Sequence, residues 1–436
     1  MQTKKIMPLT NGISGAVQIP GDKSISHRAV MLAALGNFPV TVKNFLRGAD
    51  CLSTVECLRA LGAHIDEGGV SELTITGRGL NGLTEPATIL NAGNSGTTLR
   101  LLLGLLAPRK MFAAFCGDAS LTKRPMARVI IPLTQMGAKI VGCANNKFLP
   151  IAVMPSEQNL AGITYDSPVA SAQVKSAILL AGLAANGKTT VNEPYLSRNH
   201  TEKMLAACGV NIEQHGSTTT LMPPKSEEFA PPALIEVPGD ISSAAYWLVL
   251  AAVTNGSNLR LKNVGVNETR TGIIDVLRKM GANIAFADEC TSGGEPLADL
   301  IVTGNGALHG TTFGAEIVPR LIDEIPVIAA AALFADGDTV MNGVGELRVK
   351  ETDRLAAIID EFNKIAPASA DATGDTLIIH GGKTLQNAAV KTYGDHRMAM
   401  ALAVAAAAGA GAELDDAACV DISYPAFWET LTAVGR

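Results

Sequence analysis

Gly21-Asp22-Lys23-Ser24-Ile25-Ser26-His27-Arg28 runs directly into Ala29-Val30-Met31-Leu32-Ala33-Ala34-Leu35-Gly36. A polar, Gly-containing cluster is thus followed by roughly three turns of apolar helix formers and a turn residue. The same order recurs five times. GNSGTTLRLLLGLLA starts at Gly93, SPVASAQVKSAILLAGLA at Ser167, GDISSAAYWLVLAAV at Gly239, DEIPVIAAAALFADG at Asp323 and GDHRMAMALAVAAAAG at Gly394. These starts are roughly 70 to 85 residues apart, longer than the period of ordinary solenoid repeats.

A second pattern shares that period. LRALGAHI, LTQMGAKI, LAACGVNI and LRKMGANI each end a helix-like run on a glycine, at Gly62, Gly137, Gly209 and Gly281. A glycine there suits the left-handed position after a helix, and strand-like runs such as SELTITGRG follow. Each unit reads as helix, strand, helix, hairpin. Six units predict an α/β protein of two domains with three units each. The sixth unit reaches FWETLTAVG without a hairpin, whereas Lys4–Pro20 reads as a hairpin with Asn11-Gly12 at its turn. The first twenty residues are therefore expected to complete the last unit. One lobe would be continuous over 21–238 and the other would combine 1–20 with 239–436. Val237-Pro238-Gly239-Asp240 and the Pro-rich 222–232 stretch mark the crossover.

Composition narrows the function classes. The 436 residues are 47% hydrophobic and 17% charged, a balance that buries a large core and argues against disorder. Only 4% are aromatic, so Ala, Leu, Val and Ile must fill that core. A net charge of −6 disfavours non-specific nucleic-acid binding. The seven cysteines form no C-x-x-C and no zinc spacing with histidine, so no metal is expected. Their odd number, with no apolar signal stretch in Met1–Thr10, fits a reducing, cytoplasmic setting. The Ala/Leu runs near 330 and 400 are broken before 18 residues and read as buried helices, not membrane spans.

Gly182-Leu-Ala-Ala-Asn-Gly187-Lys188-Thr189 matches the P-loop expression. A P-loop needs a strand before it and a helix after it, so that a helix N-terminus faces the phosphates. Here the helix comes first and the strand second. Asn186-Gly187 also falls where Asn255-Gly256 and Asp336-Gly337 fall in other units, so the motif reads as a turn.

The repeat starts carry the chemistry. Lys23, Ser24 and Arg28 stand at a helix N-terminus, where free N–H groups and the helix dipole favour an anion. The plain alternative is an Asp or Ser cap with surface bases. Asn94, Ser95 and Gly96 lie in a loop feeding a helix expected near Leu99; its N–H groups could converge on an oxyanion, or the loop could be only a capped turn. Ser171, Ala172 and Gln173 offer hydroxyl and amide groups, or ordinary capping. Lys123-Arg124-Pro125-Met126 places two bases beside a proline at a helix N1 position, or two solvated charges. Lys350-Glu351-Thr352-Asp353-Arg354 adds a carboxylate suited to proton transfer, or a helix surface with paired charges. Arg397 repeats the basic theme, and His396 beside it reads as structural. Asp323 puts a carboxylate at the fifth start, as a cap or as a general base. The fourth start, Gly239-Asp240-Ile241-Ser242-Ser243, has no base and reads as capping. Together these groups suit an enzyme acting on two small anions.

GDKSISHR, GNSGTT, LTKRPM, SAQVKSA, LRVKETDRL and YGDHRMAMA occur in that order along nearly the whole chain. In this the chain resembles the EPSP synthase family of enolpyruvyl transferases. SLTKRPM and SAQVKSA look like the bacterial subgroup that includes glyphosate-tolerant members. The resemblance implies an EPSP synthase-like inside-out α/β barrel in each lobe, built from three βαβαββ-type units. It implies transfer of the enolpyruvyl group of phosphoenolpyruvate to the 5-hydroxyl of shikimate 3-phosphate, with release of phosphate, in the shikimate pathway to chorismate and aromatic amino acids. It implies a monomer with no cofactor, no nucleic-acid partner and no membrane association. Lys23, Ser24, Arg28, Ser171, Ala172, Gln173, Ser197, Asp323 and Lys350 would then hold shikimate 3-phosphate. Lys23, Asn94, Gly96, Arg124, Gln173, Arg354 and Arg397 would hold phosphoenolpyruvate, and Arg198 extends the set. Asp323 is the implied proton acceptor, Glu351 the donor, and Lys23 a third catalytic group. One departure concerns Asp421-Ile422-Ser423-Tyr424-Pro425, where some members carry a lysine before the aromatic-Pro pair. The nearest alternative is the related UDP-N-acetylglucosamine enolpyruvyl transferase, which uses a cysteine on a mobile loop before an Arg-Pro pair. Cys116 precedes Arg124-Pro125, but it ends an apolar run and reads as core.

Overall fold

Helices that are apolar on every side can be stable only if other elements surround them. Six helices of the chain come close to this character and are buried along most of their length: Lys23–Ala33, Gly96–Leu106, Ala172–Gly182, Ile241–Val253, Ile325–Ala332 and His396–Ala408. All thirteen residues of Ile241–Val253 are buried. In the computed structural model, which describes residues 2–156 and 158–435, they divide between two compact units. One comprises Gly21–Pro238 with Thr291–Glu295; the other comprises Met1–Pro20, Gly239–Cys290 and Pro296–Arg436. Met1 and Arg436, the ends of the segments expected to join in one lobe, lie outside the described residues. The expected boundary at 239 did not anticipate that Thr291–Glu295 groups with the first unit.

Each unit has its own apolar cluster. In the first, the Gly96 helix packs on the Lys23 and Ala172 helices. Gly104 permits the closer of these approaches, because a Cβ there would lie 2.2 Å from the carbonyl oxygen of Ala177. In the second, the Ile241, Ile325 and His396 helices pack on one another. The strands alternate between buried and exposed positions, as in Pro39–Lys43 and Phe148–Met154. This period-two burial is the mark of sheets with one face on the core and one in water. The layering therefore puts the apolar helices inside and the sheets outside.

The sheets repeat one plan, a parallel pair followed by antiparallel neighbours. Leu234–Glu236 runs parallel to Pro39–Lys43 (Leu234 opposite Thr41), which pairs antiparallel with Leu73–Thr76, itself antiparallel to His64–Glu67. Leu90–Asn91, Ala113–Cys116, Phe148–Met154 and Lys139–Gly142 repeat this order. So do Thr164–Asp166, Thr189–Asn192, Thr218–Leu221 and Ile212–His215. Gly62, Gly137, Gly209 and Gly281 adopt positive φ between 83° and 104°, the left-handed turn that leads from helix to strand. The P-loop-like stretch is a turn: the Ala172–Gly182 helix precedes it, Gly187 has φ 86°, and the strand Thr189–Asn192 follows.

The reading of Lys4–Pro20 as a hairpin is wrong. Its two strands go to different sheets. Lys4–Ile6 pairs antiparallel with Ala412–Leu414, after the His396 helix, while Ser14–Gln18 runs parallel to Asn258–Gly265, after the Ile241 helix. Asn11-Gly12 looked like a hairpin turn because local sequence cannot show which partner each strand will take. The chain crosses between units twice through the same tetrapeptide form, Ile19-Pro20-Gly21-Asp22 and Val237-Pro238-Gly239-Asp240. Asp22 N–H donates to the Pro238 carbonyl at 2.7 Å, and Asp240 N–H to the Pro20 carbonyl at 2.9 Å. No helix among the described residues is long and apolar enough to cross a membrane.

Inside the first unit, Nδ1 of His27 lies 2.7 Å from Thr54 Oγ1, which in turn lies 2.6 Å from Thr98 Oγ1. His27 is fully buried and its Nε2 has no hydrogen-bond partner. Burial, reinforced by Lys23, lowers its pKa to about 3. The ordinary value in an unfolded chain is 6.5, so between these values the unfolded chain binds the extra proton. The stability due to neutral His27 is therefore complete above pH 6.5 and is lost as pH falls toward 3. Urea denaturation between pH 6.5 and 4.5 is expected to show a loss to which His27 contributes up to about 1.4 kcal/mol per pH unit. His27→Gln removes that part of the slope; an unchanged slope would contradict a buried, neutral His27.

Candidate active site

The inner helices are buried along most of their length, and their polar groups collect in or just beyond the first turns. In the unit containing Gly21–Pro238, Asp22 caps the Lys23 helix by accepting from the Ile25 N–H at 2.9 Å. Lys23 is the first helical residue and pairs with Asp50. Arg28, one turn on, is 6% exposed. Its guanidinium donates to the Ser24 carbonyl at 2.9 Å, Thr201 Oγ1 at 2.7 Å and Ser176 Oγ at 2.8 Å. Burial lowers its pKa, against the opposing charge of Glu202. Arg28 therefore ties three segments together as well as charging the helix start. The half-buried Arg198 adds a second positive charge near it.

The second start begins three residues earlier than expected. Ser95 caps it by accepting from Thr98 N–H at 3.1 Å, which makes Gly96 the first helical residue instead of a loop position. Asn94 donates to Asp118 at 2.7 Å and accepts from Arg124 Nη2 at 2.6 Å. Arg124 also corrects an expectation. Pro125 is not at a helix N1 position: a 3-10 turn ends at Lys123, Arg124 is extended, and the next helix begins at Ala127.

Arg100 was not anticipated. It sits in the Leu run of the Gly96 helix, is 5% exposed, and donates from Nη1 to Gln173 Oε1 at 2.7 Å. Gln173 Nε2 then donates to Thr97 Oγ1 at 3.1 Å, linking the Ala172 and Gly96 helix starts. Burial, followed by the charges of Arg128 and Arg124, lowers the Arg100 pKa to about 10. Among the described residues no carboxylate pairs with Arg100 or Arg124. The available signal was a lone arginine within apolar residues, a placement that folding does not favour by itself. A Cβ on Gly96 would lie 2.6 Å from Arg100 Nη1, so this position is closed to any side chain unless that guanidinium moves.

Ser171 caps the third start, its hydroxyl lying 3.5 Å from Val174 N, and Ala172 is the first helical residue. The Ser171 N–H donates to Glu193 Oε1 at 2.8 Å, and Ser197 Oγ donates to Glu193 Oε2 at 2.8 Å. Glu193 was another residue the repeat pattern did not reveal.

The second unit gathers Asp323, Lys350, Glu351, Arg354 and Arg397. Asp323 lies in a 3-10 turn, Ile322–Glu324, ahead of the Ile325 helix, whose N-cap residue is Glu324. Its carboxylate has Lys350 Nζ at 3.7 Å, Arg354 Nη1 at 3.7 Å and Arg397 Nη2 at 3.9 Å. Arg354 is fully buried as the first residue of the helix Arg354–Ile365, which Asp353 caps. It donates from Nε to Asp395 at 2.8 Å and from Nη2 to Glu351 at 2.5 Å. Its Nη1, nearest Asp323, has no hydrogen-bond partner. Burial alone would raise the Asp395 pKa, but the charge and hydrogen bond of Arg354 hold it below the usual carboxylate range. Burial and then Arg397 push His396 down to about 4, which leaves it neutral near pH 7. For Arg397, burial opposes the charge, but Asp323, Tyr246 and Glu324 outweigh it and raise the pKa.

The fourth start is more than a cap. Asp240 accepts from Ser242 N–H at 2.8 Å, and Arg270 reaches Ser242 Oγ at 2.8 Å from another segment. Ser242 Oγ donates to buried Glu324, whose pKa burial raises. Cys116 is the last residue of the strand Ala113–Cys116 and is half-buried, so it is neither wholly core nor on an irregular loop. Tyr424, after the position of the absent lysine, is buried and accepts from Trp247 Nε1 at 3.1 Å.

This geometry places basic groups at several helix starts and one carboxylate among three cations. A family model described as EPSP synthase (3-phosphoshikimate 1-carboxyvinyltransferase) matches residues 9–431. A 3-phosphoshikimate 1-carboxyvinyltransferase of Bacillus cereus is 48% identical over 437 residues, covering 100% of both chains. One from Bacillus anthracis is 47% identical with the same coverage. The solved EPSP synthase of Acinetobacter baumannii superposes with a TM-score of 0.92 at 40% identity, covering 100% of this chain and 98% of its own. The enolpyruvyl transferase NikO of Streptomyces tendae, at 20% identity and a TM-score of 0.76 over 99% of this chain and 97% of its own, shares the fold. Matched along nearly its whole length, the chain belongs to the EPSP synthase family.

Proposed function

We propose that the chain transfers the enolpyruvyl group of phosphoenolpyruvate to the 5-hydroxyl of shikimate 3-phosphate and releases phosphate, as a step of the shikimate pathway to aromatic amino acids. Family membership supports the reaction. The observation that carries the site assignment is the Asp323 carboxylate with Lys350, Arg354 and Arg397 all within 4 Å. Lys23, Ser24, Arg28, Ser171, Ala172, Gln173, Ser197, Asp323 and Lys350 bind shikimate 3-phosphate. Lys23, Asn94, Gly96, Arg124, Gln173, Arg354 and Arg397 bind phosphoenolpyruvate.

In the first step the shikimate oxygen bonds to C2 of phosphoenolpyruvate while its proton passes to Asp323. Glu351, held by Arg354 at 2.5 Å, gives a proton to C3. Carbon C2 becomes tetrahedral. In the second step C3 loses a proton, the C2–O bond to phosphate breaks, and phosphate leaves. Both steps move negative charge between oxygens, so the cations at the helix starts stabilise what forms. The reading uses no cofactor. The protein acts as a cytoplasmic monomer.

A phosphate-release assay is expected to require both shikimate 3-phosphate and phosphoenolpyruvate. Release with UDP-N-acetylglucosamine in place of shikimate 3-phosphate would overturn the assignment. Asp323→Asn keeps the size of the side chain but removes the proton acceptor. Its kcat should fall by about 10²–10⁴-fold while both KM values change far less; full turnover in this variant would remove Asp323 from the role. Glyphosate is expected to compete with phosphoenolpyruvate, since Gly96 leaves no methyl group against the Arg100 and Arg124 guanidinium groups. An inhibition constant far above the KM for phosphoenolpyruvate would contradict this.

A further inference from the structure

A fully buried ion cluster lies behind the third helix start. Lys175 is 1% exposed, and its Nζ is 2.7 Å from Glu193 Oε2 and 2.8 Å from Glu202 Oε1. Glu193 does more than neutralise the lysine. One oxygen accepts from the Ser171 N–H at 2.8 Å, and the other from Ser197 Oγ at 2.8 Å and Ser197 N–H at 3.3 Å. Ser171 caps the Ala172 helix, whereas Ser197 lies in the segment before the helix His200–Ala207. A single carboxylate therefore sets the spacing of two serines from separate segments.

We propose that Glu193 and Lys175 are positioning residues for the phosphate group of shikimate 3-phosphate, with Glu193 spacing Ser171 and Ser197 and Lys175 cancelling the charge that would otherwise repel the phosphate. The proposal rests on the assignment of these serines to that substrate. Glu202 is the carboxylate that acts most on Arg28, where Arg198 adds a second positive charge. Arg28 donates to Thr201 Oγ1 and Ser176 Oγ, which lie 2.6 Å apart. A bare carboxylate behind two phosphate-binding serines would act against binding, and burying it is costly unless it is paired. The lysine answers both problems. Ser197 has a further consequence. Its hydroxyl proton is already directed at Glu193, so it can donate to phosphate only by turning away, whereas the Ser171 hydroxyl accepts from the helix and keeps its proton available.

The test measures the dissociation constant for shikimate 3-phosphate, the KM for phosphoenolpyruvate and the melting temperature in three variants and one double variant. Glu193→Gln is expected to weaken shikimate 3-phosphate about tenfold, and Lys175→Met about a hundredfold because it leaves Glu193 unneutralised. The double variant K175M/E193Q should bind better than K175M alone, since only Glu202 and no longer the carboxylate touching both serines is left without its lysine. Glu193→Asp, which keeps the charge and the acceptors, should stay within about threefold of the unmodified chain. The KM for phosphoenolpyruvate should change less than about twofold in E193Q. Equal changes in both substrates, or a lowered melting temperature with unchanged shikimate 3-phosphate binding, would reduce the cluster to a structural tie. If the unmodified chain neither binds shikimate 3-phosphate nor releases phosphate, the functional assignment falls and takes this proposal with it. If the unmodified chain turns over and E193Q binds as tightly as it does, only the positioning role falls.

Discussion

A helix with no polar side can offer water only its ends. The Ile241 and Ile325 helices obey that constraint most fully, and across the six the polar groups lie in or just beyond the first turns. Side chains along Ile241–Val253 or His396–Ala408 are committed to the core. The first turn is different: its N–H groups have no partner within the helix, and they carry the positive end of the dipole. The repeat therefore yields the same resource six times, a rigid N-terminus where an anion is welcome. Sheets on the outside hold these ends in place without competing for them.

The two units use this resource differently. In the first, Arg100 and Arg124 are bonded to amides and hydroxyls, through Gln173, Asn94 and Ser120. In the second, Arg354 is bonded to Asp395 and Glu351, and Arg354 and Arg397 lie close to Asp323. Neutral dipoles leave most of a guanidinium's charge available, so the first arrangement favours capture of an anion. Carboxylates among cations offer sites that can take or give a proton. Arg100 and Arg124 thus keep charge that no carboxylate offsets among the described residues, while Arg354 is paired with two carboxylates.

The repeat period made the α/β units and their inner helices legible, because burial imposes a strong pattern on sequence. What it hid has a common cause. Gly96 looked like loop because glycine and threonine are poor helix formers, yet Ser95 caps a helix that starts there. Pro125 looked like a helix start because proline suits N1, but the chain stays extended at Arg124. Arg100 and Glu193 were missed because their roles depend on partners 73 and 22 residues away, Gln173 and Ser171. Lys4–Pro20 resembled a hairpin because Asn11-Gly12 stands between two strand-like runs, and a turn signal does not name a strand's partner. Local rules described each segment well; they could not supply pairings that only the folded chain makes.

Arg100 shows why such pairings carry functional weight. Burying a guanidinium is costly, and the usual remedy is a carboxylate. Here the remedy is an amide oxygen, and the two nearest charges acting on Arg100, from Arg128 and Arg124, are of the same sign and make the cost larger. Packing alone would favour leucine at this position, as in the neighbouring turns of the same helix. The fold instead keeps a charge that it does not neutralise, beside Gly96, where the backbone approaches without a side chain. That is an arrangement in which an incoming anion offsets a cost already present in the folded chain, so that part of the free energy of binding comes from relieving repulsion.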